Sequence, residues 1–186
     1  MKKPYFPLMT LLLIIGTLTA HFSGYGHWAF QWSTTLASWS NLLDLFRYMI
    51  SHGSLDHLSS NMMFLLLLGP VIEKRLGHVR FLVLYITSGL AAALGYGFIF
   101  QGDKVIGASG AIAGLIAVYP FVQRNLVSFF LGGILLGLYF IKQFDMFLLN
   151  YLLDGLLGST AFLAHVAGGL WGLIFFATLA WFRQTR

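Results

Sequence analysis

The sequence predicts an all-α integral membrane protein with six transmembrane helices in a single domain. Of its 186 residues, 58% are hydrophobic and 9% are charged, whereas a soluble domain is about half apolar and about a quarter charged. The apolar residues gather in six segments that come near the roughly 20 residues needed to cross a hydrocarbon core. The Lys and Arg residues fall mainly in alternate connections between these segments, as is typical of membrane proteins.

The predicted spans follow these apolar runs, and no Ser/Gly/Pro-rich linker or charge run divides residues 1–186. The fourth and fifth spans are short. The first span also has features of a signal peptide, but Leu18 fits a small-residue cleavage site poorly, so we expect this span to be retained. The spans cover about residues 6–22, 57–76, 79–100, 109–123, 126–142 and 159–182.

The distribution of basic residues predicts that both termini are cytoplasmic, because cytoplasmic loops carry the excess of Lys and Arg. With that orientation, eight basic residues lie inside: Lys2, Lys3, Lys74, Arg75, Arg80, Arg124, Arg183 and Arg186. Three lie outside: Arg47, Lys104 and Lys142. These cations are scattered between the apolar runs and form no stripe or cluster, which does not favour a nucleic-acid partner. We expect a location in the inner (plasma) membrane, with the lipid bilayer as a partner.

The connection from about Phe22 to Asp56 is predicted to lie outside and to anchor the protein at the membrane surface. It carries Trp28, Trp32 and Trp39, and Trp prefers the headgroup level. The sequence predicts an interfacial belt here and no ligand site.

Several kinds of chemistry are not predicted. The chain has no cysteine, which excludes a thiol nucleophile and a thiolate metal site. It has no HExxH motif and no paired aspartates within a span, so we expect neither a metal nor a cofactor. A nucleophile would have to be a hydroxyl or a carboxylate.

Polar side chains inside a bilayer are costly unless they are paired, and those within spans are candidates for function. His21, His27, His52 and His78 are expected at or beyond span ends, where water can satisfy them. Four other polar residues are expected in the outer parts of three spans: His57 and Asn61 on one face of the second, Ser109 at the start of the fourth, and His165 in the last.

Small residues on two spans predict that Ser109 and His165 can approach each other. The fourth span has a face of Gly110, Ala113, Gly114 and Ala117, and the last has Gly168 and Gly172. Such faces let helix backbones pack closely, and a serine hydroxyl needs a nearby base to become a nucleophile. Each feature also has a structural explanation, since Ser109 could cap its helix and a lone histidine could satisfy a carbonyl or gate a pore.

Four motifs in this order resemble those of the rhomboid family. They are Arg47 in the first loop, His57 and Asn61 with Gly69, Glu73 and Gly77 on the second span, the run Gly107-Ala108-Ser109-Gly110, and Ala164-His165 followed by Gly168 and Gly172. The sequence departs from the family pattern at Phe46, where a Trp is usual, and at Ala113, where several members have an aromatic that stacks on the histidine.

The resemblance implies a rhomboid bundle of six helices that acts as an intramembrane serine endopeptidase on single-span membrane proteins. Ser109 would be the nucleophile, His165 the base and then the acid, and His57, Asn61 and the backbone N–H of Ser109 the oxyanion hole. The active site would open to the periplasmic or extracellular side, with the fifth helix moving to admit substrate and the loop from about Lys142 to Gly158 capping the site. Structural roles are implied for Arg47, Gly69, Glu73, Gly77, Gly107, Gly110, Gly168 and Gly172.

Two other functions fit the composition. One is a catalytically inactive rhomboid-fold protein that binds or escorts membrane clients, although such proteins usually lack the serine or the histidine. The other is a transporter, but the six spans show no evident two-fold repeat and no intramembrane carboxylate pair for ion coupling.

Overall fold

A computed structural model of the chain describes residues 5–24, 28–35, 41–100, 104–122, 126–134, 137–138 and 160–184. In these ranges the long elements are helical: α1 (Leu8–Phe22), α4 (Leu55–Leu76), α5 (His78–Ile99), α6 (Ser109–Val122), α7 (126–134) and α8 (Thr160–Gln184). The short elements are β1 (Phe30–Gln31), α2 (Trp32–Thr35), α3 (Asp44–Arg47), a 3-10 turn (Tyr48–Ile50) and β2 (Lys104–Val105).

Each long helix lies close to a predicted span. By length and composition, three of the described helices can cross a membrane: α4, α5 and, within α8, Phe162–Trp181. α1 and α6 are apolar but shorter. The predicted fifth span extends past α7 into residues outside the described ranges, as does the loop expected to cap the site.

α6 forms the centre of the structure. Every residue from Gly110 to Val118 is buried, and the helix makes its most extensive contacts with α5 and α8. A helix that is apolar on all sides is stable only when other elements or lipid surround it. By contrast, the helices around α6 carry many exposed large apolar side chains, such as Leu66, Phe98 and Trp181. The polar start of α6 is therefore held within a shell of other helices.

Glycines join α6 to α8 by direct backbone contact. A methyl group at Gly172 would lie 2.6 Å from the carbonyl oxygen of Gly114, and one at Gly168 would overlap the carbonyl oxygen of Gly110. Only a residue without a side chain fits at either position. The two predicted small-residue faces thus meet each other.

The second motif of the sequence forms a joint between α1, α4 and α5. Gly69 packs on Thr10 of α1, since a methyl group there would lie 2.6 Å from the Thr10 methyl carbon. The fully buried carboxylate of Glu73 accepts hydrogen bonds from the backbone N–H groups of Met9 and Thr10, at 2.9 Å each, and from the Thr10 hydroxyl at 2.6 Å. Gly77 forms the turn into α5 with φ +83°. Residues with a side chain rarely adopt this backbone angle.

The connection between α1 and α4 is more than the interfacial belt that we expected. Its residue Phe30 is fully buried, and β1 pairs with β2 in a short antiparallel ladder that the all-α prediction did not include. Arg47 lies 5.2 Å from the ring centre of Trp28 and 3.5 Å from Asp44. Trp39 lies outside the described ranges. The connection is therefore tied to the core, next to the loop that precedes α6.

Candidate active site

A cavity of about 700 Å³ lies among α4, α6 and α8, and the four polar residues singled out in the sequence line it together. His57 and Asn61 reach it from α4, Ser109 from the first turn of α6, and His165 from α8. Most of its remaining lining is apolar. Three separate helices thus bring polar groups into one pocket of a largely apolar protein.

The loop before α6 holds Ser109 at the helix N-terminus. Gly107 has φ +112°, a value that favours glycine, and its N–H donates to the carbonyl of Tyr48 at 2.9 Å. The carbonyl of Ala108 accepts the first helical hydrogen bond, from Ile112 at 3.0 Å, so Ala108 occupies the cap position. Ser109 is the first residue within the helix, which does not favour the explanation that it is present as a cap.

His165 is almost fully buried, with 4% of its surface exposed. The backbones next to the candidate pair lie near each other, since a methyl group at Gly110 would come within 3.9 Å of the carbonyl oxygen of Ala164. Gly168 continues this contact one turn along α8. The glycine packing therefore positions the residue before His165 against the residue after Ser109.

His57 and Asn61 are one helical turn apart, and the side-chain amide of Asn61 donates to the carbonyl of His57 at 3.0 Å. The ring of His57 packs directly on the loop before α6, because a methyl group at Gly107 would lie 2.5 Å from Cε1 and 2.7 Å from Nε2. Gly107 is thus required both for its backbone angle and for the space that the histidine occupies.

Comparison with known proteins identifies the family of the chain. Residues 39–182 match the rhomboid domain, which is more than half of the chain. The chain belongs to the rhomboid family. With its apolar helices, this membership identifies a multi-pass membrane protein.

Curated rhomboid proteins align with parts of this chain. YdcA of Bacillus subtilis (strain 168), which carries the name of a proposed rhomboid protease, is 32% identical over 63% of this chain and 63% of its own length. RHOMBOID-like protein 5 of Arabidopsis thaliana is 40% identical over 35% of this chain and 22% of its own length. Rhomboid protease GluP of Bacillus subtilis (strain 168) is 31% identical over 46% of this chain and 17% of its own length. The aligned part therefore spans less than two thirds of each relative.

The expectation that water satisfies the ring of His52 is wrong. His52 is fully buried, its Nε2 accepts from the N–H of Ala108 at 3.4 Å, and its ring lies 5.0 Å from that of His57. Burial, and then the neighbouring His57, lower the pKa of His52 to about 4, so the ring is neutral and can accept this bond. One indication of this was present in the sequence: His52 lies five positions before His57, so a short turn between them can bring both rings to the loop before α6.

The remaining motif residues lie elsewhere. Arg47, Gly69, Glu73 and Gly77 are absent from the cavity lining and take part in the contacts described above. Sequence reasoning also missed Thr10, although a hydroxyl in an apolar span can be a sign of a buried partner. Within the described ranges, no three His, Asp or Glu side chains are grouped as ligands of a metal ion would be.

Proposed function

We propose that this chain is an intramembrane serine endopeptidase in which Ser109 is the nucleophile and His165 is the base. The observation that carries the proposal is the shared cavity: a hydroxyl, an imidazole and two further polar side chains converge from three helices. Polar groups within spans that point into one cavity are the usual mark of a functional site in a membrane protein. The family membership and the names of two relatives, which refer to rhomboid proteases, support the same chemistry.

Apart from the substrate and one water molecule, the reaction needs only groups that line the cavity. The Ser109 oxygen forms a bond to the carbonyl carbon of the substrate while its proton passes to His165. Collapse of the tetrahedral intermediate breaks the C–N bond, and the imidazolium returns the proton to the departing amine. A water molecule, deprotonated by His165, then hydrolyses the ester on Ser109 and restores the free hydroxyl.

The negative charge of the intermediate would be stabilised at the start of α6. The N–H groups of the first helical turn have no acceptor within their own helix, and the positive end of the helix dipole lies there. Asn61 uses one of its two amide hydrogens for the His57 carbonyl, which leaves the second for a ligand. With the N–H of Ser109 and the His57 ring, these donors form an oxyanion hole in a site of low dielectric.

The substrates would be spanning or juxtamembrane segments of single-span membrane proteins. Apolar side chains such as Phe64, Ile112 and Ile116 line the cavity beside the polar groups, and they suit a segment that comes from lipid. The proposal includes a single bundle of six spans and a site that opens to the outer face of the plasma membrane. It includes no metal and no cofactor.

Cleavage of a model single-span protein in liposomes tests the assignment. We expect Ser109→Ala to lower the cleavage rate by about a thousandfold or more, because the nucleophile is lost. Ser59→Ala is the matched control, since Ser59 is exposed on α4 and its hydroxyl only donates to the Asp56 carbonyl. Equal rates for Ser109→Ala and the native chain would overturn the mechanism.

Labelling with a fluorophosphonate tests the pair itself. Ser109 should react only when His165 is present, so His165→Ala should abolish labelling while the folded fraction stays unchanged. Should the native chain neither cleave nor label, the inactive client-binding protein becomes the better explanation.

A further inference from the structure

A second cavity, of about 430 Å³, lies at the opposite end of α4 from His57. Its lining consists of Tyr5, Pro7, Pro70, Val71, Lys74 and Arg75. None of these residues lines the cavity that contains Ser109, so the proposed reaction does not explain this site.

The two cations at this cavity have no carboxylate partner in the part of the chain that the structure describes. Lys74 and Arg75 are exposed in the last turn of α4. The carboxylate of Asp44 is paired with Arg47, and that of Glu73 lies against the ring of His78. Glu73 is adjacent in sequence, but its carboxylate is fully buried and is bonded to Met9, Thr10 and His78. The cavity therefore presents positive charge that a negative ligand could neutralise.

Tyr5 adds a neutral hydrogen-bond donor. Its hydroxyl lies 3.4 Å from Nδ1 of His78, and the two rings are stacked with centroids 5.4 Å apart. Partial burial, together with the negative charge of Glu73, raises the pKa of Tyr5 to about 12. A hydrogen bond to Glu73 also raises this pKa. The phenol thus keeps its proton, for which an anionic ligand oxygen would compete with Glu73.

An exposed apolar surface leads along α4 to these polar groups. Two rows of residues at four-residue spacing lie side by side on the helix: Met63, Leu67, Val71 and Arg75 in one, and Leu66, Pro70 and Lys74 in the other. Met63, Leu66 and Leu67 are 52%, 55% and 61% exposed. In a spanning helix the exposed side chains of this surface face lipid chains, and Leu67 also borders the cavity that contains Ser109. The surface ends at the two cations.

We propose that this cavity binds the headgroup of an anionic phospholipid, whose chains lie along the exposed face of α4. Lys74, Arg75 and the Tyr5 hydroxyl would hold the phosphate. Pro7, Pro70 and Val71 would pack on the glycerol and the first chain carbons, for which a free phosphate ion has no counterpart. Because Tyr5 and Pro7 precede α1 and the cations end α4, the lipid would stabilise the joint at Glu73.

Lipid binding to the full chain in detergent tests the proposal. Phosphatidylglycerol is titrated against phosphatidylcholine, with bound lipid counted by native mass spectrometry and the thermal unfolding midpoint followed in parallel. We expect phosphatidylglycerol to bind and to raise the midpoint. Lys74→Gln and Arg75→Gln should each weaken its binding about fivefold, since one cation near an anionic headgroup contributes about that much.

Arg80→Gln is the matched control, because Arg80 is an exposed cation in the first turn of α5, at the same end of the bundle but outside the cavity lining. If Arg80→Gln weakened phosphatidylglycerol binding equally, the lipid would be responding to the general positive charge of this surface, which would overturn the proposed site. Equal stabilisation by phosphatidylcholine would overturn the requirement for an anion. Displacement of the lipid by millimolar inorganic phosphate would overturn the choice of a lipid. None of these measurements depends on cleavage, so failure here is distinct from failure of the proposed protease activity.

Discussion

At the residue scale, the side chain of His52 helps to position the loop before Ser109. It lies in a turn that would ordinarily be open to water, yet it is fully buried behind the ring of His57 and holds the N–H of Ala108. A buried imidazole avoids the cost of charge by remaining neutral. That neutrality is also what allows its Nε2 to accept a hydrogen bond, so the loop before Ser109 depends on the protonation state of His52.

We predict that the stability of the protein falls below pH 6.5 partly because of His52. The pKa of its ring is about 4 in the folded chain, but about 6.5 when unfolded, so the unfolded state binds more protons between these values. The stabilisation is complete above about pH 6.5 and is lost as the pH falls towards 4, by up to about 1.4 kcal/mol per pH unit.

Denaturant unfolding in detergent at a series of pH values checks this prediction. In His52→Gln the amide oxygen can still accept from Ala108 but does not titrate, so the free energy of unfolding should fall less steeply with pH than in the native chain. Parallel curves for the two proteins would contradict the prediction.

At the scale of elements, glycine contacts and one buried carboxylate position the helices. Gly168 and Gly172 fit against Gly110 and Gly114, so α8 cannot approach α6 closely with any larger residue. Glu73 binds the first turn of α1, whose N–H groups would otherwise lack acceptors. Both devices act between helices that are far apart in sequence.

We predict that Gly172→Ala separates α6 from α8 and carries His165 away from Ser109. The added methyl group would lie 2.6 Å from the Gly114 carbonyl oxygen, so the helices must shift. Since a misplacement of about 1 Å can lower a rate about a hundredfold, cleavage should fall by about that factor while the helix content seen by circular dichroism is retained. Gly16→Ala is the control, because nothing lies within 4 Å of a methyl group there. An unchanged rate in Gly172→Ala would exclude this role for the contact.

We predict that Thr10→Val lowers the free energy of unfolding by about 1–3 kcal/mol, because the buried carboxylate of Glu73 loses a donor. Thr17→Val is a close control. Thr17 is also buried on α1, but its hydroxyl has no hydrogen-bond partner in the described part of the chain, so its loss should be neutral or stabilising. Denaturant unfolding in detergent measures both variants. A similar loss of stability in the two would show that volume, and not the bond to Glu73, is what matters.

At the scale of the whole molecule, the two ends of the bundle differ in their basic residues and in the cavity that each contains. Lys74, Arg75 and Arg80 lie where α4 meets α5 and α1 begins, whereas Arg47 and Lys104 lie near the loop that leads to Ser109. The candidate active site and the proposed lipid site therefore lie towards opposite ends of α4. The excess of cations at one end predicts that this end faces the cytoplasm.

We predict opposite labelling of single cysteines placed at the two ends. The chain has no native cysteine, so Arg80→Cys and Lys104→Cys, both at exposed positions, each carry one thiol. In intact cells, a membrane-impermeant maleimide should label the cysteine at position 104 and leave that at position 80 unlabelled until the membrane is permeabilised. The reverse pattern would invert the orientation and place the Ser109 cavity on the cytoplasmic side.

The sequence alone determined the approximate positions of the long helices and the four polar residues that we propose as the site. Apolar length defines a helix in lipid, because every backbone group must find its partner within the segment, and the cost of intramembrane polar groups singles out Ser109, His57, Asn61 and His165. Local patterns of this kind can be read without knowing the fold.

Only the tertiary structure determined which residues are hydrogen-bonded to each other across distant parts of the chain. The carboxylate of Glu73 bonds Thr10 across 63 positions of the chain, and His52 reaches Ala108 across 56. The paired residues of β1 and β2 are even farther apart in sequence. The type of a residue indicates which hydrogen-bond partner it requires. The packing of segments that are distant in sequence determines which atom is that partner and whether water is excluded.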